Sequence, residues 1–447
     1  MLQNLESLGY LHMTPVQAES LPVILEGKDV IAQAKTGSGK TAAFGLGLLH
    51  KLDVKKFRIQ TLILCPTREL ADQVAKELRK LARSIHNIKI LTLCGGMPFG
   101  PQLGSLEHGA HIVVGTPGRI EEHVRKRSLI LDHVTTLVLD EADRMLDMGF
   151  QEALDNIIGA TPPNRQTLLF SATYPPEIED VAQRVMTTPV MIEVAGTHDN
   201  ATIKQRFFKV AEEKQRMSVL RLLLRKYKPD SAIVFCQTKR ETAEVANDLC
   251  SDGFYAIALN GDMEQKARDQ ALVRFANKSV SILVATDVAA RGLDIDSLDA
   301  VINYQITRDT EVHVHRVGRT GRAGGKGLAI SLYTSKEEYK VKQLEEYLNT
   351  SFEPDVLPPW SLLEKPSYSA PMATLQIDGG KKQKVRAGDI LGALTGDNGI
   401  AAKQVGKIHI FDNSAYVAID KDAARPALRQ LTEKKLKGRS FRVRRIS

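Results

Sequence analysis

The sequence has 447 residues, 43% of them hydrophobic and 26% charged, which is ordinary for a soluble globular protein. A chain of this length predicts about three domains. No apolar run approaches membrane-spanning length, and the first ten residues lack the basic start of a signal peptide, so we expect a cytoplasmic protein that does not enter a membrane. The four cysteines form no C-x-x-C pair, which argues against a zinc site and against a disulfide framework.

The excess of basic residues behind the net charge of +8 lies at the end of the chain. From Ala370 to Ser447 there are 16 lysines and arginines against 7 acidic residues, and the rest of the chain holds 45 against 46. A localised basic surface indicates a polyanionic partner, most often a nucleic acid. The alternative is a tail whose charge serves only solubility.

Near the start, the segment 34–41 predicts a loop that binds phosphate. An apolar strand at 29–33 precedes it and a helical pattern at 42–49 follows it, which is the setting that such a loop requires. Small residues let backbone N–H groups surround a phosphate at the positive end of the helix. We predict that Lys40 reaches the β- and γ-phosphates and that the Thr41 hydroxyl ligates Mg²⁺. The usual first glycine is an alanine here, so an ordinary turn rich in glycine and serine is the alternative. The loop consists of Ala34, Lys35, Thr36, Gly37, Ser38, Gly39, Lys40 and Thr41.

Short apolar runs then alternate with helical patterns, which predicts a parallel, doubly wound sheet. Ligands of such sheets gather at the carboxyl ends of the strands. Besides 29–33, the predicted strands are 61–65, 89–93, 111–115, 136–140 and 166–170. The short sequences that follow them are P-T-R-E-L from Pro66, Gly95-Gly96, T-P-G-R from Thr116, D-E-A-D from Asp140 and S-A-T from Ser171.

The strongest of these sequences begins at the end of a buried strand. We predict that Asp140 holds Mg²⁺ and that Glu141 orients and deprotonates the attacking water. An acidic helix N-terminus, stabilised by the helix dipole, is the alternative. The other turns offer donors for a phosphodiester backbone, although each taken alone is typical of a strand-to-helix connection. These donors are Thr67, Arg68, Thr116 and Arg119, with the backbone N–H groups of Gly95, Gly96 and Gly118.

A polar stretch from Ala195 to Lys204 predicts a linker. A second alternating pattern follows it, without a phosphate loop, and predicts strands at 231–236, 255–259, 280–284, 300–303 and 328–332. Arg319 and Arg322 lie three residues apart, on one face if their segment is helical. Two arginines presented to a nucleotide on another lobe act as an arginine finger, worth roughly 10³ to 10⁵ in rate. A basic surface cluster is the alternative.

Five prolines between 354 and 371 predict a semi-rigid connection to the basic tail. The tail itself has the strand-helix-strand-strand-helix-strand order of an RNA-recognition motif. Its sheet lacks the usual pair of base-stacking aromatics, for which only Phe411 and Tyr416 are candidates. Binding would then depend on basic residues or on an unusual face, and a ferredoxin-like domain that binds no RNA is the alternative. The basic candidates are Lys381, Lys382, Lys384, Lys407, Arg442, Arg444 and Arg445.

From Tyr10 to about Thr350, the ordered motifs resemble those of the DEAD-box RNA helicases. The resemblance rests on Gln17, A-x-T-G-S-G-K-T, P-T-R-E-L, Gly-Gly, T-P-G-R, D-E-A-D, S-A-T, A-R-G-L-D and H-R-V-G-R-T-G-R. It implies an α/β fold with two tandem RecA-like parallel-sheet lobes, at 1–197 and 198–352. A linker at 353–372 and an RRM-like α+β domain at 373–447 would complete the chain. The resemblance also implies ATP and Mg²⁺ as cofactors, RNA as partner, and local strand separation rather than translocation.

The resemblance assigns further roles by position. Thr14 and Gln17 would read adenine, and Asp294 would contact the ribose. Arg319 and Arg322 would meet the γ-phosphate. Hydrolysis would be coupled to lobe closure by Asp143, Ser171, Thr173 and His315. The RNA backbone would be held by Pro66, Arg68, Gly96, Thr116, Gly118, Arg119, Thr286 and Arg291.

In one respect the sequence departs from the family pattern. DEAD-box helicases carry an aromatic residue well upstream of the glutamine, stacked on adenine, and this sequence starts too late to contain it. That implies either an N-terminus trimmed from a longer chain or weaker nucleotide binding.

With its basic tail, the whole chain resembles one bacterial branch of the family. That branch implies a tail anchored on a hairpin of the large-subunit ribosomal RNA, near the peptidyl-transferase region. A monomeric helicase would then act on neighbouring helices of pre-ribosomal particles. Two other hypotheses share the same motifs: an ATP-gated RNA clamp that assembles ribonucleoprotein without productive unwinding, and a DNA helicase. Strand displacement distinguishes the clamp from the RNA helicase, because a clamp would release no strand. Stimulation of ATP turnover by a DNA strand would favour the DNA helicase.

Overall fold

The computed structural model describes residues 2–34, 37–194, 203–290, 298–321, 327–396 and 399–446. Contacts group the described residues into two units, one at 2–194 and the other from 203 onward. Five of the predicted site residues lie outside the described residues: Lys35, Thr36, Arg291, Asp294 and Arg322. Among the described helices, none is long and apolar enough to cross a membrane.

In the described part of the first unit, seven strands form a parallel sheet. They are β1 (Val30–Gln33), β2 (Thr61–Leu64), β3 (Ile90–Leu93), β4 (Ile112–Gly115), β5 (Thr136–Asp140), β6 (Gln166–Ser171) and β7 (Val190–Glu193). Their order in space is β3-β4-β2-β5-β6-β1-β7, and each pairing is parallel. The predicted doubly wound sheet is confirmed. β7 was not predicted, because it is a short edge strand whose apolar run, Val190 to Ile192, is only three residues long.

Helices cover both faces of this sheet, as a parallel sheet requires. They are α1 (Leu2–Ser7), α2 (Pro15–Leu25), α3 (Lys40–Lys51), α4 (Arg68–Leu81), α5 (Phe99–Glu107), α6 (Pro117–Arg125), α7 (Ala142–Asp147), α8 (Gln151–Gly159) and α9 (Pro176–Val185). One core packs α2, α3 and α4 against one face, around Phe44 and Val74. The other packs α6 to α9 against the opposite face, around Ile120 and Leu154. Successive strand residues alternate between the two cores, which fixes the register of the sheet.

The second unit begins with another parallel sheet. As far as the chain is described there, its strands are β8 (Ile203–Val210), β9 (Ala232–Phe235), β10 (Ala256–Leu259), β11 (Ile282–Ala285), β12 (Ala300–Asn303) and β13 (Gly327–Thr334). Their order is β10-β11-β9-β12-β13-β8. Its helices are α10 (Arg216–Tyr227), α11 (Lys239–Ser251), α12 (Gln265–Ala276), α13 (Asp287–Ala290), α14 (Thr310–Val317) and α15 (Glu338–Leu348). β8 was not predicted, because polar residues interrupt its apolar positions and its start overlaps the predicted linker.

The basic tail forms an antiparallel sheet with two helices on one face. Its elements are β14 (Met372–Ile377), α16 (Ala387–Thr395), β15 (Val405–Ile410), β16 (Ala415–Asp420), α17 (Ala424–Glu433) and β17 (Val443–Ile446). The sheet order is β15-β16-β14-β17, and the predicted order of strands and helices is confirmed. Leu375 and Val417 of the sheet pack with Ile390 and Leu431 of the helices in the domain's core.

The opposite face of this sheet packs on the second RecA-like lobe. Thr374 is fully buried there, with its Oγ1 at 2.7 Å from Ser279 Oγ and 3.2 Å from Asn277 Nδ2. Tyr416 lies on the same sheet face as Gln376, its cross-strand partner, and is only 4% exposed. The suggestion that Tyr416 stacks on a base is therefore wrong, because its ring is buried.

The connecting segment also packs on that lobe. Asp355 pairs with Arg206 at 2.6 Å, and the Tyr368 ring packs edge-on against Phe254 with ring centroids 5.8 Å apart. Because these contacts hold the segment along its length, it lies against the lobe rather than extending freely into solvent.

Candidate functional site

The predicted site residues of the first unit follow the carboxyl ends of its strands. Parallel strands place those ends at one edge of the sheet. The segments after β1, β2, β3 and β4, together with the last residues of β5 and β6, therefore share that edge. They carry Ala34, Pro66, Gly96, Thr116, Asp140 and Ser171.

The residues predicted to read adenine lie against the phosphate loop. Gln17 Nε2 donates to the Gly39 carbonyl at 3.1 Å, and Gln17 Oε1 accepts from the Thr14 backbone N–H at 3.0 Å. Gly39 has a φ of 94°, a left-handed conformation that favours glycine. The hydroxyls of Thr14 and Ser38 are buried and have no hydrogen-bond partner within the described residues. Gly39 and Ser38 of the loop thus lie together with Thr14 and Gln17 in one polar cluster.

Two buried titratable residues, Lys40 and Asp140, lie beside this loop. The two residues are 6% and 2% exposed, and Lys40 Nζ donates to the Ala34 carbonyl at 2.9 Å. Burial raises the pKa of Asp140 to about 7, although the Lys40 ammonium opposes that rise. Asp140 Oδ1 has no hydrogen-bond partner in the described part of the chain.

The unsatisfied Asp140 oxygen fits a cation ligand. Thr41, the predicted second ligand, is the second residue of α3. Within the described ranges there is no group of three or more His, Cys, Asp or Glu side chains that could hold a metal. Mg²⁺ suits such a sparse site, because it is commonly held by one or two protein groups, waters and substrate phosphates.

The next carboxylate is held by a different cation. Glu141 is 3% exposed and has a left-handed backbone with φ 53° and ψ 52°. Arg144 Nη1 lies 2.6 Å from Glu141 Oε2.

Asp143 joins two of the motifs. Its Oδ2 accepts from the Thr173 hydroxyl at 3.1 Å and from the backbone N–H groups of Ala172 and Thr173. The Asp143 N–H donates to Ser171 Oγ at 3.3 Å. Although burial works against it, the Lys40 ammonium and these hydrogen bonds hold the pKa of Asp143 below its usual value. The structure therefore brings together three of the four residues predicted to couple hydrolysis to closure.

The residues predicted to hold the RNA backbone in the first unit lie in the turns of the same edge. Thr116 Oγ1 accepts from the Gly95 N–H at 3.3 Å, which joins two of these turns. Arg119 Nη1 donates to the Met97 carbonyl at 2.8 Å, and Arg119 Nε lies 3.1 Å from the Glu122 carboxylate. Gly96 and Gly118 are exposed, whereas Pro66 is buried.

In the second RecA-like lobe, three of the predicted site residues are described. Thr286 follows β11 and its Oγ1 accepts from the Ala289 N–H at 3.3 Å. His315 is an exposed residue of α14, and Arg319 follows the end of that helix with 7% exposure.

The basic candidates of the tail occupy different parts of the domain. Lys381, Lys382 and Lys384 follow β14, and Arg442 precedes β17, so they belong to neighbouring loops at one end of the sheet. Gly380 precedes this cluster, and a side chain there would collide with the Phe411 carbonyl of the adjacent turn. The remaining candidates lie elsewhere. Lys407 is on the edge strand β15, and Arg444 pairs with Gln376 on the face that contacts the lobe.

Comparison with protein families matches most of the chain. Residues 14–181 match the DEAD/DEAH box helicase model, residues 214–324 match the helicase conserved C-terminal domain, and residues 374–445 match the DbpA RNA binding domain. The ATP-dependent RNA helicase DbpA of Escherichia coli is 53% identical over 99% of this chain and 96% of that protein. The chain belongs to the DEAD-box family of ATP-dependent RNA helicases.

Other relatives of this DEAD-box helicase agree with that assignment. The ATP-dependent RNA helicase DbpA of Bacillus subtilis is 38% identical over 100% of this chain and 97% of that protein. Among solved structures, S. cerevisiae Dbp5 bound to RNA and ADP BeF3 is similar with a TM-score of 0.71 and 28% identity, covering 79% of this chain and 92% of that chain. Mss116p bound to ssRNA and AMP-PNP is similar with a TM-score of 0.71 and 27% identity, covering 80% of this chain and 77% of that chain.

The sequence analysis of this DEAD-box helicase missed two ion pairs that buried arginines make in or beside the motifs. One is Arg144 with Glu141. The other is Arg316 with Asp287, in which Arg316 Nε and Nη2 donate to the two carboxylate oxygens at 2.6 Å and 2.7 Å. The second pair joins α13, which follows the Thr286 turn, to α14, which precedes Arg319. Both arginines lie within the quoted motifs or next to them, but only the fold shows which acid each one meets.

Proposed function

We propose that this DEAD-box helicase hydrolyses ATP at the carboxyl edge of its first sheet and uses the hydrolysis cycle to open short RNA duplexes locally. The observation that carries the proposal is the buried group of Lys40, Asp140 and Glu141 beside the phosphate loop. Within this group, Asp140 Oδ1 is buried and has no hydrogen-bond partner among the described residues, and such an atom is costly to bury unless a ligand or partner compensates it. A nucleotide with its magnesium ion supplies that compensation.

Each residue has a distinct task in this proposal. Thr14 and Gln17 hold the adenine, and the N–H groups of the loop with Lys40 hold the phosphates. Asp140 and Thr41 hold Mg²⁺, which when bound neutralises charge on the phosphate oxygens. Glu141 accepts a proton from the attacking water.

The second lobe and the RNA complete the site. Arg319 and Arg322 stabilise the charge that develops on the γ-phosphate, and Asp294 contacts the ribose. Asp143, Ser171, Thr173 and His315 transmit the state of the nucleotide to lobe closure. The RNA backbone is held without base readout by the turn residues of both lobes. These are Pro66, Arg68, Gly96, Thr116, Gly118, Arg119, Thr286 and Arg291.

The target that we propose is a hairpin of the large-subunit ribosomal RNA in a pre-ribosomal particle. It would be bound by the C-terminal domain of a monomeric, cytoplasmic protein. The relatives named DbpA support this proposal through their similarity over the whole chain, tail included. Within the tail, the cluster of Lys381, Lys382, Lys384 and Arg442 is the basic surface that lies away from the covered sheet face.

The assigned roles at the ATP site are tested by Lys40→Ala and Glu141→Gln in the full chain. We expect both variants to lose RNA-stimulated ATP turnover while RNA binding, measured by fluorescence anisotropy, persists. Lys56→Ala, at an exposed lysine of the same lobe, is the control and should turn over ATP normally. Turnover that survives Glu141→Gln would remove Glu141 from its role.

The proposed target is tested by reversing charge in the tail. The double variant Lys381→Glu with Lys382→Glu is compared with Lys403→Glu. Lys403 is an exposed lysine just before the first residue of β15, Val405. ATPase rates are measured at fixed salt with no RNA, unrelated RNA and large-subunit ribosomal RNA. We expect ribosomal RNA to stimulate best, and the double variant alone to lose that preference. Equal stimulation by every RNA would contradict a ribosomal target.

Displacement of a labelled strand from a short duplex separates the helicase from the two other hypotheses. Release of the strand in the presence of ATP supports unwinding. Binding and hydrolysis without release indicate an ATP-gated clamp. A DNA cofactor strand that stimulates turnover as well as RNA would indicate a DNA helicase.

A further inference from the structure

A buried arginine contacts the carboxylate to which the proposed function assigns proton transfer. Arg144 Nη1 lies 2.6 Å from Glu141 Oε2, and the two side chains are only 8% and 4% exposed. A charge-assisted hydrogen bond of this length between desolvated groups is strong and directional. Because this hydrogen bond is made to one of the two carboxylate oxygens, it restricts the rotation of the Glu141 carboxylate.

The backbone at the same point is unusual. Glu141 has a left-handed conformation, which a residue with a side chain adopts only where its surroundings impose it. The Glu141 carbonyl accepts from the N–H groups of Arg144 at 3.1 Å and Met145 at 3.2 Å. Arg144 therefore contacts Glu141 twice, at its main chain and at its carboxylate.

Arg144 is itself fixed by the neighbouring motif. The Arg144 N–H donates to Asp143 Oδ1 at 3.0 Å, while the other oxygen of Asp143 accepts from Thr173. A continuous set of hydrogen bonds thus runs from the end of β6 through Asp143 and Arg144 to Glu141.

We propose that Arg144 is a positioning residue for ATP hydrolysis, which directs the Glu141 carboxylate towards the attacking water. The inference rests on the proposed function, because it requires Glu141 to accept the proton. A purely structural role would need only a positive charge to compensate a buried carboxylate. Positioning needs the planar guanidinium, whose N–H groups point in fixed directions.

The test uses Arg144→Met and Arg144→Lys in the full chain, with saturating RNA. We expect Arg144→Met to lower kcat about 10- to 100-fold, less than the roughly 10²- to 10⁴-fold that the general base itself contributes, and to change KM for ATP less than about threefold. Arg144→Lys keeps the charge without the planar group and should recover only part of kcat. Full recovery by lysine, or an unchanged kcat in Arg144→Met, would overturn the proposal.

A matched control separates positioning from folding. Arg165 is another partly buried arginine of the first unit, and it donates to the carbonyls of Pro162 and Val185 near the amino end of β6. Arg165→Met should lower the melting temperature but leave kcat unchanged. If Arg144→Met does not fold, Arg144→Lys decides the question, since it retains the buried charge: wild-type kcat in that variant contradicts positioning.

A double variant shows whether Arg144 acts through Glu141. On a Glu141→Gln background, adding Arg144→Met should reduce the single-turnover rate less than about twofold, because the group that it positions is already gone. If the rate loss of the double variant equals the product of the losses in the two single variants, the proposal is overturned. If Glu141→Gln alone keeps full turnover, the proposed function fails. If Glu141→Gln is inactive while Arg144→Met is fully active, the failure is limited to the role of Arg144.

Discussion

At the scale of single residues, Gly39 shows how closely the phosphate loop is built against the helix before it. Its left-handed φ of 94° disfavours any side chain, and a Cβ atom there would lie 2.5 Å from Gln17 Nε2 and 3.0 Å from Thr14 Oγ1. The glycine thus permits both the turn of the loop and its contact with the residues that we propose hold adenine.

We predict that Gly39→Ala weakens ATP binding. Left-handed backbone costs a residue with a side chain about 1–2 kcal/mol, and the contact with Gln17 adds to that cost. KM for ATP should therefore rise about tenfold or more, since about 1.4 kcal/mol corresponds to a factor of ten. Gly104→Ala is the control, because a Cβ atom there meets nothing within 4 Å. Equal KM values in the two variants would contradict the prediction.

Asp140 and Glu141 were placed correctly from sequence at the carboxyl end of a buried strand, because an apolar run followed by acids has few other interpretations in a chain with a phosphate loop. Their partners were not predictable. From sequence Arg144 could face solvent or the preceding turn, and only the fold shows its guanidinium 2.6 Å from the Glu141 carboxylate, at a residue with left-handed backbone.

At the scale of elements, α14 combines a capped start with a buried histidine. The Asp309 carboxylate accepts from the N–H groups of Glu311 and Val312 and so caps the helix. His313, in its first turns, is 1% exposed and stacks with Phe207. Burial, and then the nearby Arg316 guanidinium, lower the pKa of His313 to about 3.

This histidine should make the second unit sensitive to acid. The imidazole stays neutral in the folded chain but takes up a proton near its ordinary pKa of about 6.5 once unfolded. Stability should therefore fall as the pH drops below about 6.5 towards 3, because the unfolded state binds the extra proton.

His313→Phe should reduce the loss of unfolding free energy between about pH 7.5 and about pH 5. Trp360, the single tryptophan of the sequence, lies in the second unit and reports its urea unfolding by fluorescence. His108→Phe, at an exposed histidine of the first unit, should leave that loss unchanged. An equal loss in His313→Phe and the unaltered chain would contradict the assignment.

The elements most easily predicted were the central strands, because burial on both faces leaves a continuous apolar run. The edge strands β7 and β8 were missed for other reasons: the apolar run of β7 is only three residues long, and polar residues interrupt the apolar positions of β8. Similarly, the alternation of apolar and polar residues in β14 indicates two different faces. From sequence, the polar residues Thr374 and Gln376 would be expected to face solvent, and only the structure shows that the lobe buries them.

At the scale of the whole molecule, the second RecA-like lobe and the C-terminal domain are joined by a buried polar contact. The Thr374 hydroxyl accepts from Asn277 Nδ2 and lies 2.7 Å from Ser279 Oγ, which also donates to the Arg274 carbonyl. Leaving a buried polar group unsatisfied costs roughly 1–3 kcal/mol.

Thr374→Val should therefore lower the free energy of unfolding of the second unit by about 1–3 kcal/mol while preserving the shape of the side chain. Urea unfolding followed by Trp360 fluorescence measures the change. Thr395→Val provides the comparison, because its exposed hydroxyl bonds only within α16 and its loss should have little effect. A Thr374→Val chain as stable as the Thr395→Val chain would show that the contact does not hold the domains together.

The packing of the connecting segment also determines how the molecule finds its RNA. A domain on a free tether samples a volume that is set by the length of the linker. The effective concentration for a second binding event then depends on that length. Here the segment lies on the lobe and the sheet face is covered, so the effective concentration of RNA near the lobe is set by a fixed distance rather than by chain statistics. In the proposed function, in which the tail anchors the RNA, the lobe would then meet the adjoining nucleotides at a defined separation, and a few added residues in the segment would change that separation little while its contacts persist.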